Sequence, residues 1–128
     1  MKLLLDTHLL LWLALESDRL SQRAHKVIGD HANSLFFSAA SIWEIAIKRS
    51  LDRPDFTADP GVIRRALLDN GYEELPVDSR HAMATLTLPP LHKDPFDRIL
   101  VAQAIIEGMT LATADEAVAR YSGTILKL

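Results

Sequence analysis

The chain has 128 residues, of which 48% are hydrophobic and 24% are charged, with 14 Lys plus Arg against 17 Asp plus Glu. This composition is typical of a packed globular protein and excludes a disordered chain, which needs low hydrophobicity and high net charge. The formal net charge of −3 argues against a broadly basic surface for polyanions. No apolar run approaches the ~20 residues that span a bilayer, so no membrane segment is expected.

The length and the cysteine content set two further expectations. At this length we expect one domain, residues 1–128, with one hydrophobic core. The apolar start runs directly into Asp6 and is too short for the apolar region of a signal peptide. The chain has no cysteine, so it forms neither a disulfide nor a thiolate metal site. We therefore expect a cytoplasmic protein.

Short apolar runs alternate with helical patterns along the chain. The predicted strands are residues 2–5, 35–37, 72–77, 110–113 and 123–128. The predicted helices are residues 8–15, 22–31, 39–51, 60–70, 79–86, 95–107 and 115–121. Strands that alternate with helices predict an α/β fold, a single domain with an open, mainly parallel sheet flanked by helices.

The predicted helix at 95–107 has the clearest start. Asp94 occupies the N-cap position, and Pro95 fits the first helical position, where the missing N–H group has no partner to lose. Asp97 is the third helical residue and precedes a run that is apolar almost all round, which indicates a helix buried on most sides. Two carboxylates and Arg98 therefore lie at the positive end of a buried helix, where they either cap it or form part of a site.

Acidic residues also lie at the ends of other predicted elements. Asp6 and Asp115 each follow a predicted strand, and Glu44 lies about one and a half turns into a predicted helix. Ligands of an open parallel sheet bind outside the carboxyl ends of its strands. We therefore expect these three acids to meet Asp94 and Asp97 in one cleft.

Several carboxylates in one cleft repel each other unless some of them take up protons or a cation neutralises them. Oxygen ligands in a chain without cysteine favour a hard cation, Mg²⁺ or Mn²⁺. Such ions commonly act on phosphate esters, where one or two of them activate a water for in-line attack. The acids therefore point to chemistry on a phosphate ester.

Each acid also has a structural interpretation. Asp94 and Asp115 could be ordinary N-caps, and Asp97 could be an N3 acid that the helix dipole favours. Glu44 could be half of an exposed i,i+4 pair with a lysine. Asp6 is the hardest to explain in this way, because an acid that closes a buried parallel strand has few structural reasons to be there.

Histidine and tryptophan are given structural roles. No two histidines have the spacing of a metal-binding pair. The histidines expected at the surface are His25, His31 and His81. His8 is expected to pack in a helix, and Trp12 and Trp43 are expected in the core rather than as stacking platforms for bases.

Four strings of the sequence together resemble a known family. They are Leu-Leu-Leu-Asp6-Thr7-His8, Ser41-Ile-Trp43-Glu44-Ile, Asp94-Pro-Phe-Asp97-Arg98 and Leu111-Ala-Thr113-Ala-Asp115. In this order, across essentially the whole chain, they look like a PIN-domain ribonuclease, most closely the VapC-type toxin of bacterial and archaeal toxin–antitoxin pairs. The resemblance implies a parallel sheet with a central first strand and a Mg²⁺- or Mn²⁺-dependent endonuclease that cleaves RNA. It also implies a homodimer and a cognate antitoxin as partner, in a toxin–antitoxin hetero-oligomer.

The resemblance implies a role for each matching residue. Asp6 and Asp97 match the primary metal ligands, Glu44 binds metal or orients and deprotonates the attacking water, and Asp115 binds a second ion or fixes a water. The supporting residues are Thr7 and Thr113, which orient carboxylates or water, Asp94, which is a ligand or only a cap, and Arg98, which contacts a phosphate or holds Asp97. The family often has Asn or Arg after the final threonine, where this chain has Ala114. Because an external water attacks, the products should carry a 5′-phosphate and a 3′-hydroxyl.

Two alternatives compete with the nuclease. One is a phospho-receiver-like signalling domain, which needs an Asp after a middle strand and a Lys after a late one. Here Ser38 follows the strand at 35–37, and no lysine follows the strand at 110–113. The other is a catalytically silent PIN-like binding scaffold, against which the retained acids argue.

Overall fold

Five strands form one sheet in the computed structural model, which describes residues 1–128. The strands are β1 (Lys2–Leu5), β2 (Ser34–Ser38), β3 (Glu73–Leu75), β4 (Thr110–Thr113) and β5 (Ile125–Lys127). Their order is β3-β2-β1-β4-β5, and every neighbouring pair is parallel. The central strand is therefore β1, and the strand order reverses between β1 and β4, where a doubly wound sheet binds its ligands.

Seven helices connect and flank these strands. They are α1 (Thr7–Ala14), α2 (Gln22–Ile28), α3 (Ala39–Ser50), α4 (Pro60–Asp69), α5 (Ser79–Ala84), α6 (Pro95–Glu107) and α7 (Glu116–Ala119). One turn of 3₁₀ helix, Thr85–Thr87, follows α5. The predicted α/β fold with its parallel sheet is confirmed. No helix combines the length and the hydrophobicity needed to cross a membrane.

Several predicted elements are shorter in the structure. Helix α2 ends at Ile28, where Gly29 takes the C-cap position, rather than at residue 31. Strand β3 ends before Pro76, which has no N–H group for a ladder. Strand β5 begins after Gly123, whose φ of 125° is incompatible with an extended strand. The two shortened strands are the edge strands, which are paired on one side only.

The sheet is covered on both faces, and β1 shows this most directly. Leu3 and Leu5 pack into one core cluster with residues of α1, α3 and α4. Leu4 points the other way, into a second cluster that contains residues of α6. Successive strand residues face opposite sides of a sheet, so a strand with both sides buried is a continuous apolar run.

Each of the seven helices begins with a side-chain cap. The capping residues are Asp6, Ser21, Ser38, Asp59, Asp78, Asp94 and Asp115. Three of these caps lie near the carboxyl edge of the two middle strands. Asp6 directly follows β1 and Asp115 follows β4, while Asp94 begins α6, which packs against β4. The local rules for helix starts therefore also place carboxylates at this edge.

Candidate active site

Asp6 lies between β1 and α1 and is only 2% exposed. Its backbone N–H donates to the Ala112 carbonyl at 3.0 Å, which extends the pairing of β1 with β4. Its Oδ1 accepts the Leu9 N–H at 2.9 Å, and its Oδ2 accepts the Thr113 hydroxyl. Burial raises the pKa of Asp6 in spite of these hydrogen bonds. Asp6 does cap a helix, so the expectation that it has few structural reasons to be there was wrong.

Thr113 connects Asp6 to Asp115. The Thr113 hydroxyl donates to Asp6 and accepts the backbone N–H of Asp115 at 3.0 Å. Asp115 caps α7 through the Ala117 N–H at 2.7 Å. Repulsion from Asp115 also contributes to the raised pKa of Asp6. One buried threonine thus fixes the positions of two carboxylates that lie 109 residues apart in sequence.

Asp97 lies in the first turn of α6 but does not cap it. The cap is Asp94, whose Oδ1 accepts the Phe96 N–H at 2.8 Å. Asp97 is 8% exposed, and its Oδ2 lies 2.8 Å from His92 Nε2. Burial raises the pKa of Asp97 to about 6, and repulsion from Asp94 and Glu44 adds to this effect while His92 opposes it. The charge of Asp97 is therefore only partly compensated by its surroundings.

Glu44 projects from α3 and is 5% exposed. Its Oε2 pairs with Lys48 Nζ at 3.1 Å, so the predicted i,i+4 pair exists, but its acidic end is buried rather than exposed. Its Oε1 is buried and has no hydrogen-bond partner. Nearly all buried polar atoms of native proteins have a partner, so this oxygen is suited to receive a cation or a water.

Three side chains present a converging set of possible metal ligands. Ligand atoms of His92, Asp97 and Asp115 all lie within 4.8 Å of one another, and His92 Nε2 is 3.9 Å from Asp115 Oδ2. Asp6 is joined to this set through Thr113. The charge of Glu44 acts on Asp97, so the structure brings all four predicted acids to one edge of the sheet, with Asp94 as a helix cap beside them.

Two predicted supporting residues make other contacts. Arg98 does not hold Asp97, because its guanidinium donates to the carbonyls of Thr85 at 2.9 Å and Pro89 at 3.1 Å and to the Tyr121 hydroxyl at 3.1 Å. It fixes the loop before α6. The Thr7 hydroxyl donates to Ser41 at 2.9 Å rather than to a carboxylate. That buried contact joins α1 to α3.

The sequence-based predictions were wrong about the burial of two aromatic side chains and did not assign a third to the site. His81 is 1% exposed rather than at the surface, and Trp43 is 64% exposed rather than in the core. The residue missed at the site is His92. It lies in a loop, where neither helical nor strand spacing applies, and its only signal was its place two residues before the Asp94 cap.

Comparison with known proteins gives the family. The family model of the PIN domain matches residues 3–123. The chain belongs to the PIN-domain family. It is 32% identical over 113 residues to Ribonuclease VapC22 of Mycobacterium tuberculosis, a match that covers 88% of this chain and 85% of that protein. The predicted VapC-like family is thus confirmed.

Solved structures agree on the fold of this PIN domain. A chain in the crystal structure of VapBC2 from Rickettsia felis, bound to a DNA fragment from its promoter, has a TM-score of 0.72 and 15% identity and covers 99% of this chain and 98% of its own. A chain in a toxin–antitoxin complex from Klebsiella pneumoniae has a TM-score of 0.64 and 17% identity, covering 97% and 95%. At these identities the likeness shows the fold.

The phospho-receiver alternative was wrong. The PIN family match covers residues 3–123, and the strand order 3-2-1-4-5 differs from the 2-1-3-4-5 order of receiver-type sheets. The first strand therefore lies in the middle of the sheet, as the family resemblance implied.

Proposed function

We propose that this PIN-domain chain is a divalent-metal-dependent endoribonuclease and the toxin of a toxin–antitoxin pair. The observation that carries the proposal is the edge of the sheet where Asp6 and Asp97 are buried with raised pKa values and Glu44 has an unpaired oxygen. Groups whose pKa values are shifted by burial and by like charges cluster at functional sites. The relative at 32% identity, which is named a ribonuclease, supports RNA as the substrate.

The residues fit a divalent cation. Carboxylate oxygens and one imidazole nitrogen converge within 4.8 Å, and a buried oxygen of Glu44 has no partner in the protein. We assign Asp6 and Asp97 as the primary ligands of Mg²⁺ or Mn²⁺, Glu44 as a further ligand or the base, and Asp115 as the residue that holds a second ion or an ordered water. When bound, the cation would offset the carboxylate charges, make a water more acidic and stabilise the charge on the leaving oxygen.

The protein groups then have separate tasks. Lys48 pairs with Glu44 Oε2 at 3.1 Å, which leaves the unpartnered Oε1 to bind the ion or to accept a proton from the attacking water. The water oxygen bonds to phosphorus, the bond from phosphorus to the 3′ oxygen breaks, and that oxygen takes a proton from solvent. The products carry a 5′-phosphate and a 3′-hydroxyl. Asp6 is fixed by Thr113 and by its cap of α1, so it needs no rearrangement during the reaction.

We further propose that a cognate antitoxin binds this chain, which forms a homodimer or a toxin–antitoxin hetero-oligomer in the cytoplasm. The structural neighbours described above come from toxin–antitoxin complexes. An acidic cleft is suited to a basic segment of a partner, because Arg and carboxylate groups form strong charge-assisted hydrogen bonds. We take the PIN domain to be the whole chain, residues 1–128.

The experiment is cleavage of a mixed pool of structured RNA by antitoxin-free protein, with Mn²⁺ or Mg²⁺ and with EDTA, followed by mapping of the product ends. The variants are Asp6→Asn and Asp97→Asn, and the control is Asp59→Asn, an exposed cap whose side chain accepts from Gly61 and Val62 of its own helix α4. Asn caps helices about as well as Asp, so Asp6→Asn and Asp59→Asn each remove a charge and keep the cap, while Asp97→Asn removes a charge at a position that caps no helix. We expect metal-dependent cleavage that both site variants abolish and the control retains.

Two results would contradict this proposal. Products with a 2′,3′-cyclic phosphate that form equally in EDTA would show that the 2′-hydroxyl attacks without metal. A folded, antitoxin-free preparation that neither cleaves the pool nor binds Mn²⁺ in a calorimeter would support the silent scaffold instead.

A further inference from the structure

The loop before α6 holds one imidazole against the acids. The His92 backbone N–H donates to the Tyr121 hydroxyl at 3.0 Å, and its carbonyl accepts from Arg98 Nη1 at 3.4 Å. Arg98 also donates to the carbonyls of Thr85, Leu88 and Pro89, so the loop is fixed along its length. The place of His92 is therefore set through its backbone, and its ring is not needed to hold the loop.

One nitrogen of the His92 ring, Nε2, lies close to two carboxylates. His92 Nε2 is 2.8 Å from Asp97 Oδ2 and 3.9 Å from Asp115 Oδ2. The side chain is 25% exposed, so the ring lies at the rim of the site rather than in the core. A histidine whose only task was to hydrogen-bond Asp97 would need the first of these contacts and not the second.

The two separations match those between ligands of a small cation. Donors about 2.1 Å from an octahedral ion are roughly 3.0 Å apart at right angles and about 4.2 Å apart when they lie opposite. The 2.8 Å from His92 Nε2 to Asp97 Oδ2 is close to the first of these separations, and the 3.9 Å to Asp115 Oδ2 lies between the two, without a change of rotamer. Glu44 adds a further buried oxygen that is available to the ion. Its Oε1 has no hydrogen-bond partner, and the charge of Glu44 acts on Asp97.

We propose that His92 Nε2 is a ligand of the divalent cation and that it gives the centre a preference for Mn²⁺ over Mg²⁺. Mg²⁺ selects oxygen donors and keeps its waters, whereas an imidazole nitrogen favours transition-metal ions. The inference rests on the proposed function only in that a divalent ion binds at these acids. With Nε2 on the ion, the neutral ring carries its proton on Nδ1.

Pulsed electron paramagnetic resonance of bound Mn²⁺ tests nitrogen ligation without RNA. The sample is the full antitoxin-free chain with Mn²⁺, and the readout is the echo modulation that a directly bound ¹⁴N produces. We expect this modulation in the wild type, its replacement by a ¹⁵N pattern after labelling with ¹⁵N-histidine, and its loss in His92→Gln. His8→Gln is the matched control, because His8 is the other histidine near Asp6 and acts on its pKa, and it should keep the signal.

Calorimetric titration with Mn²⁺ and with Mg²⁺ then tests selectivity. Loss of a residue that only supports a metal ligand lowers metal affinity roughly 10- to 100-fold, and loss of a ligand should cost at least as much. We expect a fall of this size for Mn²⁺ in His92→Gln and a clearly smaller fall for Mg²⁺, with both affinities unchanged in His8→Gln. An equal fall for the two ions would overturn the selectivity and leave His92 as a residue that positions Asp97.

Other outcomes separate this inference from the proposed function. Mn²⁺ that binds the wild type without ¹⁴N modulation overturns the ligand role alone. A wild type that binds no divalent ion overturns both the ligand role and the metal dependence. If His92→Gln did not fold, the comparison of ¹⁴N- with ¹⁵N-histidine in the wild type would decide the question by itself.

Discussion

The two ends of α6 carry the same kind of pair with opposite electrostatic results. At the N-terminal end, His92 Nε2 is 2.8 Å from Asp97 Oδ2. At the C-terminal end, His81 Nε2 is 2.9 Å from Glu107 Oε2. Yet the pKa of Asp97 is raised to about 6, while the pKa of Glu107 is lowered. Distance between partners therefore does not decide what a histidine–carboxylate pair does.

The surroundings of each pair explain the difference. Asp97 is desolvated by burial and lies beside other acids, whereas Glu107 accepts from both His81 and Arg80, and these two partners outweigh its desolvation. The helix dipole acts against both results, because it favours an anion at the N-terminus and disfavours one at the C-terminus. Its effect is about 0.3–1 kcal/mol, less than the roughly 3 kcal/mol that a shift of about two pKa units represents. Local groups therefore outweigh the dipole at both ends.

The largest expected change in stability comes from the C-terminal pair. His81 is 1% exposed, its Nδ1 accepts the Asp78 N–H at 3.0 Å, and its Nε2 donates to Glu107. His81→Ala leaves a cavity and removes both bonds, so we expect a loss of about 2–4 kcal/mol in urea unfolding. His92→Ala at the partly exposed N-terminal pair is the matched variant and should lose less than about 1 kcal/mol. Equal losses would contradict the view that one pair is structural and the other belongs to a site.

The next change tests how the N-terminal pair is held. Arg98→Met keeps an apolar stem but removes the hydrogen bonds to the loop carbonyls and to Tyr121. We expect a loss of about 1.5–3 kcal/mol, the range for hydrogen bonds to a charged group. Hydrogen exchange should accelerate at the backbone amides of Leu88 and of residues 91–93 and stay unchanged at His81. Unchanged exchange in the loop would show that Arg98 does not position His92.

Removing the Asp97 charge should stabilise the protein at high pH. Native Asp97 keeps its proton up to about pH 6, whereas the ordinary value for the unfolded chain is 3.8. Between these values the native state binds more protons, so wild-type stability falls as the pH rises. Asp97→Asn does not ionise and should be more stable than the wild type by about 1–3 kcal/mol at pH 8. The difference should vanish near pH 3.5 in metal-free buffer.

Glu107→Gln is the control of opposite sign. The pKa of Glu107 is lowered from 4.5, so its charge stabilises the native state above that value and the benefit disappears as the pH falls. This variant should be less stable than the wild type at pH 7 and equal to it in acid. If Asp97→Asn were also less stable than the wild type at pH 8, the two ends of α6 would be electrostatically alike, which would contradict the comparison.

The sequence predicted what depends on local rules. The run Leu3–Leu5 predicted a buried strand, and the Asp94 cap with Pro95 predicted the start of α6, because each is decided by neighbouring residues. The meeting of the acids at one edge of the sheet could be predicted, because the carboxyl ends of parallel strands lie at the same edge. The contacts of His81, His92 and Arg98 could not be predicted, because each reaches across a loop or to another helix, and its partner depends on packing.

The smallest expected change separates the two cations that act on Glu107. Arg80 is exposed and pairs with both Asp78 and Glu107. Exposed pairs contribute little and are screened by salt, so Arg80→Ala should change stability far less than His81→Ala, and the change should shrink in about 1 M salt. The hydrogen bond from His81 is the largest cause of the lowered pKa of Glu107, so that carboxyl should still titrate below its ordinary value in Arg80→Ala when followed by NMR. A return of the Glu107 pKa to its ordinary value would mean that Arg80, and not His81, keeps Glu107 charged. The pair of His81 and Glu107 taken by itself would then resemble the pair of His92 and Asp97.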